Sequence, residues 1–410
     1  MKEILALLSE VFKYDLEKDR KNMALLKYIM RNFTDKDKID MLNRRIGPKV
    51  LYEKLFGKPF RKANEMVQGM IRFALTELGT AVGFNFDEPH CLIAGQTGCG
   101  KTVLLMIILA QAMLKDAIVW LFTKAKDTRN LLRVSKEILV VNFDGQIKFN
   151  PLLPPPGVDF RFWVNCFADI FIQAFGLYDG TKNFLLEEIN YLFSRNNVPT
   201  IYDLYNLVKS LKYSIYSRFS RYQESAINRL SGMLASLGET FSYPFIALED
   251  LAERHVIFEI QGLTSELQVF IVNILMTWLF YYKLSISCND YHFVGIDDAN
   301  LVFDKSFEYR PDQGLPIISH LLSTVRKSKI NVIVCSQIPH QLGASIHSNA
   351  FTKIMFSLAN GDDIYCMTRS MGIRDPEQVQ YCHKLGKREA VVKFSGRYPE
   401  PFLAYIPEVR

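Results

Sequence analysis

The chain has 410 residues, 49% hydrophobic and 22% charged, with a formal net charge of +6. That balance excludes a disordered or fibrous chain and leaves room for one large domain plus a smaller one; the mild basic excess is compatible with nucleic acid without demanding it. Seven scattered cysteines, none in a Cys-x-x-Cys pair, argue against a zinc or disulfide framework and point to reduced thiols in the cytoplasm.

The opening stretch, MKEILALLSEVFKYD, has acids inside its apolar run and makes a poor secretory signal. Residues 1–83 read as a helical region for interaction or assembly. Ile4, Leu7, Leu8 and Val11 share one helical face, and Leu25, Leu26, Ile29 and Met30 form a second stripe. Thr34 reads as an N-cap, Gly47-Pro48 as the stop of the helix that follows it, and Lys62–Leu78 as a further long helix.

From Pro89 the pattern changes to short apolar runs separated by helical stretches. The expected strands are Cys91–Ala94, Ala117–Phe122, Ile138–Asn142, His255–Ile260, His292–Ile296, Asn331–Cys335, Lys353–Ser357 and Ala390–Phe394. Several are continuously apolar, as strands are when helices cover both faces of a sheet. The fold class is therefore α/β, with a mostly parallel central sheet occupying residues 84–410.

After the first of these strands comes Gly95-Gln96-Thr97-Gly98-Cys99-Gly100-Lys101-Thr102, followed by the apolar segment Val103–Leu114. Four residues between the outer glycines, then Lys and Thr, is the phosphate-binding loop pattern. Glycines let successive backbone N–H groups turn inward as an anion nest, and the following helix points its positive end at the phosphates. Lys101 reaches the terminal phosphates, and the Thr102 hydroxyl is a ligand for Mg²⁺. The chain is thus expected to bind a nucleoside triphosphate, ATP, with Mg²⁺.

Lys124, Lys126, Arg129 and Arg133 cluster after the second strand. They suit either a nucleic-acid track or an ordinary solvated face, and the latter is the commoner outcome. Asn150-Pro-Leu-Leu-Pro-Pro-Pro-Gly157 then breaks the alternation and opens a helical insertion spanning about 157–245. Within it, Lys212, Arg218, Arg221 and Arg229 interleave with Tyr213, Tyr216 and Tyr222, which poses the same choice. Val269–Ile286 is about as long as a bilayer requires. It lies between two strand candidates, where a parallel sheet needs a buried crossover helix, so no integral membrane segment is expected.

Asp297 and Asp298 end the apolar run His292–Ile296. In an open parallel sheet, ligands bind at that carboxyl end of the strands. Asp297 is assigned to the Mg²⁺ shell and Asp298 to polarising the attacking water. Gln337 ends the next apolar run and suits a sensor of the γ-phosphate. Arg326, on the stretch between, is a candidate arginine finger for a neighbouring subunit; a surface salt bridge is its equal alternative.

GQTGCGKT, FNPL at 149–152, HVIFEIQGL at 255–263, VGIDDAN at 294–300, STVRKSKINVIVCSQIPHQL at 323–342 and SNAFTKIMFSL at 348–358 occur in that order. Together they resemble the HerA/FtsK superfamily of motor ATPases, over roughly residues 84–405. The resemblance implies an additional-strand (RecA-like) P-loop fold and a ring, a homo-hexamer, with nucleotide at each interface. Arg326 then matches the family's arginine and Gln337 its polar sensor. It also implies ATP-driven translocation of DNA, with a nuclease or other effector protein as partner. A motor ATPase of type IV secretion or conjugation is the alternative, as is an ATPase scaffold of an anti-phage complex. Two features depart from the pattern. Asp298 stands where the family usually has Glu, which suggests slow turnover, and residues 1–80 read as helical where HerA proteins begin with a small β-barrel.

Overall fold

The computed structural model describes residues 2–14, 16–32, 34–56, 58–63, 65–143, 147–195, 198–243, 246–286, 290–308, 317–324, 328–398 and 400–408. Its centre is one sheet of eleven strands: β1 (Ile71–Leu75), β2 (Ala81–Phe84), β3 (Cys91–Ala94), β4 (Ile118–Thr123), β5 (Leu139–Asn142), β6 (Val256–Glu259), β7 (His292–Ile296), β8 (Ile330–Ser336), β9 (Thr352–Met355), β10 (Glu389–Phe394) and β11 (Phe402–Tyr405). Their order across the sheet is β2-β1-β11-β10-β9-β3-β8-β7-β4-β6-β5. From β9 to β5 neighbouring strands pair in parallel, and β10, β11, β1 and β2 complete an antiparallel flank. The α/β, mostly parallel architecture and all eight expected strands are present, with ends shifted by up to two residues.

Alternation along each strand divides the core into two layers. Trp120, Phe122, Val294 and Ile296 face one, where the buried helix Ser265–Ile286 and the insertion helix Phe160–Phe175 pack. Val119, Leu121 and Phe293 face the other, against the helix Lys101–Met113. Ser265–Ile286 is long and apolar enough to cross a membrane, yet 78% of its most apolar window is buried inside the protein. It fills the role of a crossover between β6 and β7. The insertion is helical as expected, with Phe160–Phe175, Asp179–Arg195, Ile201–Ser210 and Arg218–Leu237 preceding β6. Asp159, Thr200 and Ser217 cap three of these helices through side-chain oxygens.

The N-terminal helices Lys2–Lys13, Arg20–Ile29 and Lys36–Phe56 share a small core of their own, built on Leu7, Val11, Leu26, Ile29, Ile39, Leu42, Ile46 and Val50. Three expectations here are corrected. The cap of the third helix is Asp35, one residue after Thr34, whose Oδ1 accepts from the Lys38 amide at 3.1 Å. That helix continues through Gly47-Pro48. Pro48 forfeits one helical hydrogen bond, but Ile46 and Val50 on either side are buried in the shared core and carry the helix past it.

The third correction is larger. Lys62–Leu78 is not a helix: Glu65–Val67 forms one short turn, and Ile71–Leu75 is β1, the first arm of a hairpin with β2. Val67, Ile71, Ala74 and Leu78 fall at helical spacing, but the chain reverses at Gly79, whose φ is +78°. Thr76 and Thr80 close that turn, and Leu75 pairs with Tyr405 of β11. The pairing joins residues far apart in sequence, so local periodicity misreads the segment.

Candidate nucleotide site

The loop between β3 and the helix Lys101–Met113 lies at the carboxyl edge of the sheet. Two ladders extend past their strands to hold its start: the Gly95 amide donates to the Ser336 carbonyl at 3.1 Å, and the Gln96 amide to the Ser357 carbonyl at 2.8 Å. A Cβ on Gly95 would lie 2.5 Å from Cys99 Sγ and 2.8 Å from Phe356 Cβ, so only glycine fits there. Gly98 and Gly100 have φ of +79° and +109°, with open space where a side chain would stand. That is a cradle lined by backbone, as an anion nest requires. Cys99 is half-buried, and burial pushes its thiol upward, so it packs as a neutral group.

Lys101 is 7% exposed. Its ammonium donates to the carbonyls of Gly95 and Gln96 at 2.7 and 2.9 Å. No carboxylate lies within ion-pair distance of it among the described residues, so an incoming phosphate would meet an ammonium held only by backbone carbonyls. At the other side of the loop, Thr97 Oγ1 donates to Gln337 Oε1 at 2.9 Å. Gln337, exposed just past β8, is thereby brought to the loop.

Thr102 opens the helix, and its Oγ1 donates to Asp297 Oδ1 at 2.9 Å. Asp297 follows β7, where its amide extends the β4–β7 ladder to the Phe122 carbonyl. Burial raises its carboxyl pKa; the Thr102 hydrogen bond opposes this, while Asp127 and Asp298 add to the rise. A half-buried acid pushed upward by burial and by two like charges is a group that gains from a nearby cation. A hydroxyl and a carboxylate oxygen side by side are hard ligands of the kind Mg²⁺ takes.

Asp298 is placed differently. Its Oδ2 accepts from Lys124 Nζ at 2.9 Å. One strand further out, Glu259 at the end of β6 is 8% exposed, and Arg129 grips both of its oxygens at 2.5 and 2.8 Å. Lys126, Arg129, Asn142, Glu259 and Gln261 line a cavity of about 500 Å³ at this outer part of the edge, away from the loop. The basic cluster noted in the sequence is therefore not a free track. Two of its four cations are engaged by acids of the sheet edge. In the insertion, Tyr213 stacks on Phe219 and Tyr222 packs at Gly180, which leaves Tyr216 as the fully exposed aromatic of that set. Arg326 lies outside the described residues.

The structure thus gathers Gly95–Thr102, Asp297, Asp298 and Gln337 at one edge. Sequence reasoning did not single out Asp127 or Glu259, nor did it assign Lys124 to an acid. The available signal was register: Lys124 follows Phe122 by the same count as Asp298 follows Ile296, the residue paired with Phe122.

No family model and no curated protein matches this chain. Solved structures do. VirB4 of Thermoanaerobacter pseudethanolicus superposes with a TM-score of 0.65, covering 83% of this chain and 97% of its own at 13% identity. The plasmid coupling protein TrwB in complex with ADP and Mg²⁺ gives 0.62, over 87% and 96% at 14% identity. TrwB with the non-hydrolysable ATP analogue ADPNP gives 0.63, over 87% and 96% at 13% identity. At these identities the likeness establishes the fold, which is the one the HerA/FtsK resemblance implies.

Proposed function

We propose that this chain is an Mg²⁺-dependent ATPase, a motor subunit of the conjugation or secretion class that works as a ring, of six copies, on DNA. One observation carries the chemistry: the Thr102 hydroxyl and the Asp297 carboxylate meet at 2.9 Å beside a glycine cradle that holds a buried lysine. The likeness to VirB4 and to the conjugative coupling protein TrwB supports a conjugation-type motor over a free-standing DNA translocase. TrwB's complexes with ADP and Mg²⁺ and with an ATP analogue support the choice of nucleotide and metal.

In this reading the amides of Gly95–Gly100 and the Lys101 ammonium orient the β- and γ-phosphates. Thr102 and Asp297 hold Mg²⁺, which when bound neutralises charge between those phosphates. Asp298 accepts the proton of the attacking water, and Gln337, already bonded to the loop at Thr97, reports on the γ-phosphate. Arg326 is proposed as the finger that stabilises charge in the adjoining subunit's site, and such a group is worth roughly a thousandfold or more in rate. The cytoplasm is the proposed location.

The test is ATP turnover together with particle mass, with and without nucleotide and duplex DNA. Lys101→Ala is expected to lose nucleotide binding. Arg326→Ala is expected to bind nucleotide, assemble and fail to hydrolyse it. DNA should stimulate turnover with a steep salt dependence. A monomer at all concentrations, or turnover by Lys101→Ala at the unaltered rate, refutes the proposal.

A further inference from the structure

Lys124 belongs to no motif of the nucleotide site, and its position is dictated by sheet register. β4 and β7 pair with Phe122 opposite Ile296, and the bond from the Asp297 amide to the Phe122 carbonyl carries that register past the strand ends. Two residues on, Lys124 stands opposite Asp298. Alternation then separates the two acids. Asp297 continues the face of Phe293 and Gly295, against which Leu105 and Leu109 of the Lys101–Met113 helix pack. Asp298 continues the opposite face, that of Val294 and Ile296, as Lys124 continues that of Trp120 and Phe122. One acid is directed at the phosphate loop and the other at β4, where the ammonium meets its Oδ2 at 2.9 Å.

We propose that Lys124 is a positioning residue that restrains Asp298, and that this ion pair must open for Asp298 to take the proton of the attacking water. The inference deepens the hydrolytic reading above and rests on it. The ammonium bonds Oδ2 alone, so its effect is one of position: it holds the carboxylate toward β4, the face to which alternation directs it, rather than toward the loop. Asp is one methylene shorter than Glu and has correspondingly less reach toward a phosphate while its oxygen stays bonded at β4. Both partners are partly exposed, 43% and 42% of their side chains, so the restraint is soft. Pairs of this kind shift an equilibrium by about two- to fivefold. It acts as a bias that a bound partner or neighbouring subunit can remove.

The experiment compares kcat and KM for ATP in the full chain and in Lys124→Met, Lys124→Arg and Asp298→Asn, with urea midpoints as the folding control. Lys124→Met is expected to raise kcat about two- to fivefold with KM unchanged. Lys124→Arg, which restores the charge, returns kcat toward the unaltered value. In the absence of DNA, raising ionic strength past about 0.1 M, where the Debye length falls below about 10 Å, should speed the unaltered chain at saturating ATP and leave Lys124→Met indifferent. This salt response tests the restraint in the native chain even if the methionine variant folds poorly. A kcat for Lys124→Met at or below that of the unaltered chain, or a native rate flat or falling with salt, overturns the restraint. Asp298→Asn separates the two readings. If it is inactive while Lys124→Met is no faster, only the restraint falls; if it turns over normally, the role of Asp298 falls and the restraint with it.

Discussion

Gly295 is the penultimate residue of β7, two residues before Asp297, under the helix that follows the phosphate loop. A Cβ there would lie 2.8 Å from Leu109 Cδ1, 3.0 Å from Leu121 Cδ1 and 3.2 Å from Leu105 Cδ1. All three leucines are fully buried. Carbon atoms in ordinary contact stand about 3.5–4.0 Å apart, so Gly295→Ala requires roughly 0.5–1 Å of movement. Two of the three leucines belong to the Lys101–Met113 helix, and the movement therefore lifts that helix from β7. Overpacking of this kind costs about 1–3 kcal/mol. The same lift stretches the 2.9 Å Thr102–Asp297 bond beyond useful length, so Mg²⁺-dependent turnover should fall along with stability. Leu109→Ala alone leaves a cavity and costs about 2–5 kcal/mol. In the double variant the new methyl occupies part of that cavity, so the two costs should fall short of their sum by about 0.5–3 kcal/mol. Equilibrium urea denaturation of the four proteins measures this cycle. A stability for Gly295→Ala within about 0.5 kcal/mol of the unaltered chain, or strict additivity in the double variant, refutes the packing argument.

Three further outcomes follow from the charges of the sheet edge and core. Burial raises the Asp297 pKa, and in the unfolded chain that carboxyl ionises at lower pH, so its ionisation weakens the protein without metal as pH rises through the interval between the two values. Asp297→Asn should therefore raise the unfolding temperature in EDTA at pH 8, while Mg²⁺ ceases to affect it; an unchanged metal response refutes the ligand assignment. His90 is fully buried, accepts from the Val332 amide and meets the Leu322 carbonyl, and burial pushes its pKa down to about 4. The unfolded chain binds that proton first, so stability is lost as pH falls from about 6.5 to about 4, by about 3 kcal/mol for this group. A urea midpoint flat across that interval contradicts it. Arg129→Met strands the buried carboxylate of Glu259 and should lower the urea midpoint, and Arg129→Met/Glu259→Gln should recover most of the loss; equal losses in the two proteins refute the pairing.

The parts of the fold legible in the sequence are those whose signal is local. The strand before Gly95, the acids after Ile296 and the buried crossover helix announce themselves through contiguous apolar runs with defined ends. The hairpin of β1 and β2 was not legible, because its apolar residues match a helical period as well as a strand's and its partner strand begins at Phe402. Pro48 misled for the opposite reason: a strong local stop signal was overridden by burial of Ile46 and Val50. At the site, the loop and Asp297 could be read from residue type and spacing, since glycines, Lys, Thr and a terminal acid are what a Mg²⁺-nucleotide demands. The partners of Asp298 and Glu259 could not, since pairing between β4, β7 and β6 joins residues more than a hundred positions apart.

Strand order explains why these groups lie together. Reading along the edge from β3, the loop of Gly95–Thr102 is followed by Gln337 after β8, Asp297 and Asp298 after β7, Lys124 after β4 and Glu259 at the end of β6. Each is the first polar residue, or nearly so, beyond an apolar strand, and the spacing between neighbours is the pitch of the sheet, about 4.8 Å. A hydrogen bond spans one such step with side chains of this length, as from Thr97 to Gln337, Lys124 to Asp298 and Arg129 to Glu259, while the bond from Thr102 to Asp297 passes over β8 because Thr102 stands on the helix above the sheet. The helix Lys101–Met113 crosses over β8, β7 and β4 on one face and fixes the loop to the same frame. Glu259, at the cavity, and Asp298 are thus tied to one short segment, by the Arg129 ion pair at one end and the Lys124 ion pair at the other, and that segment carries the basic cluster.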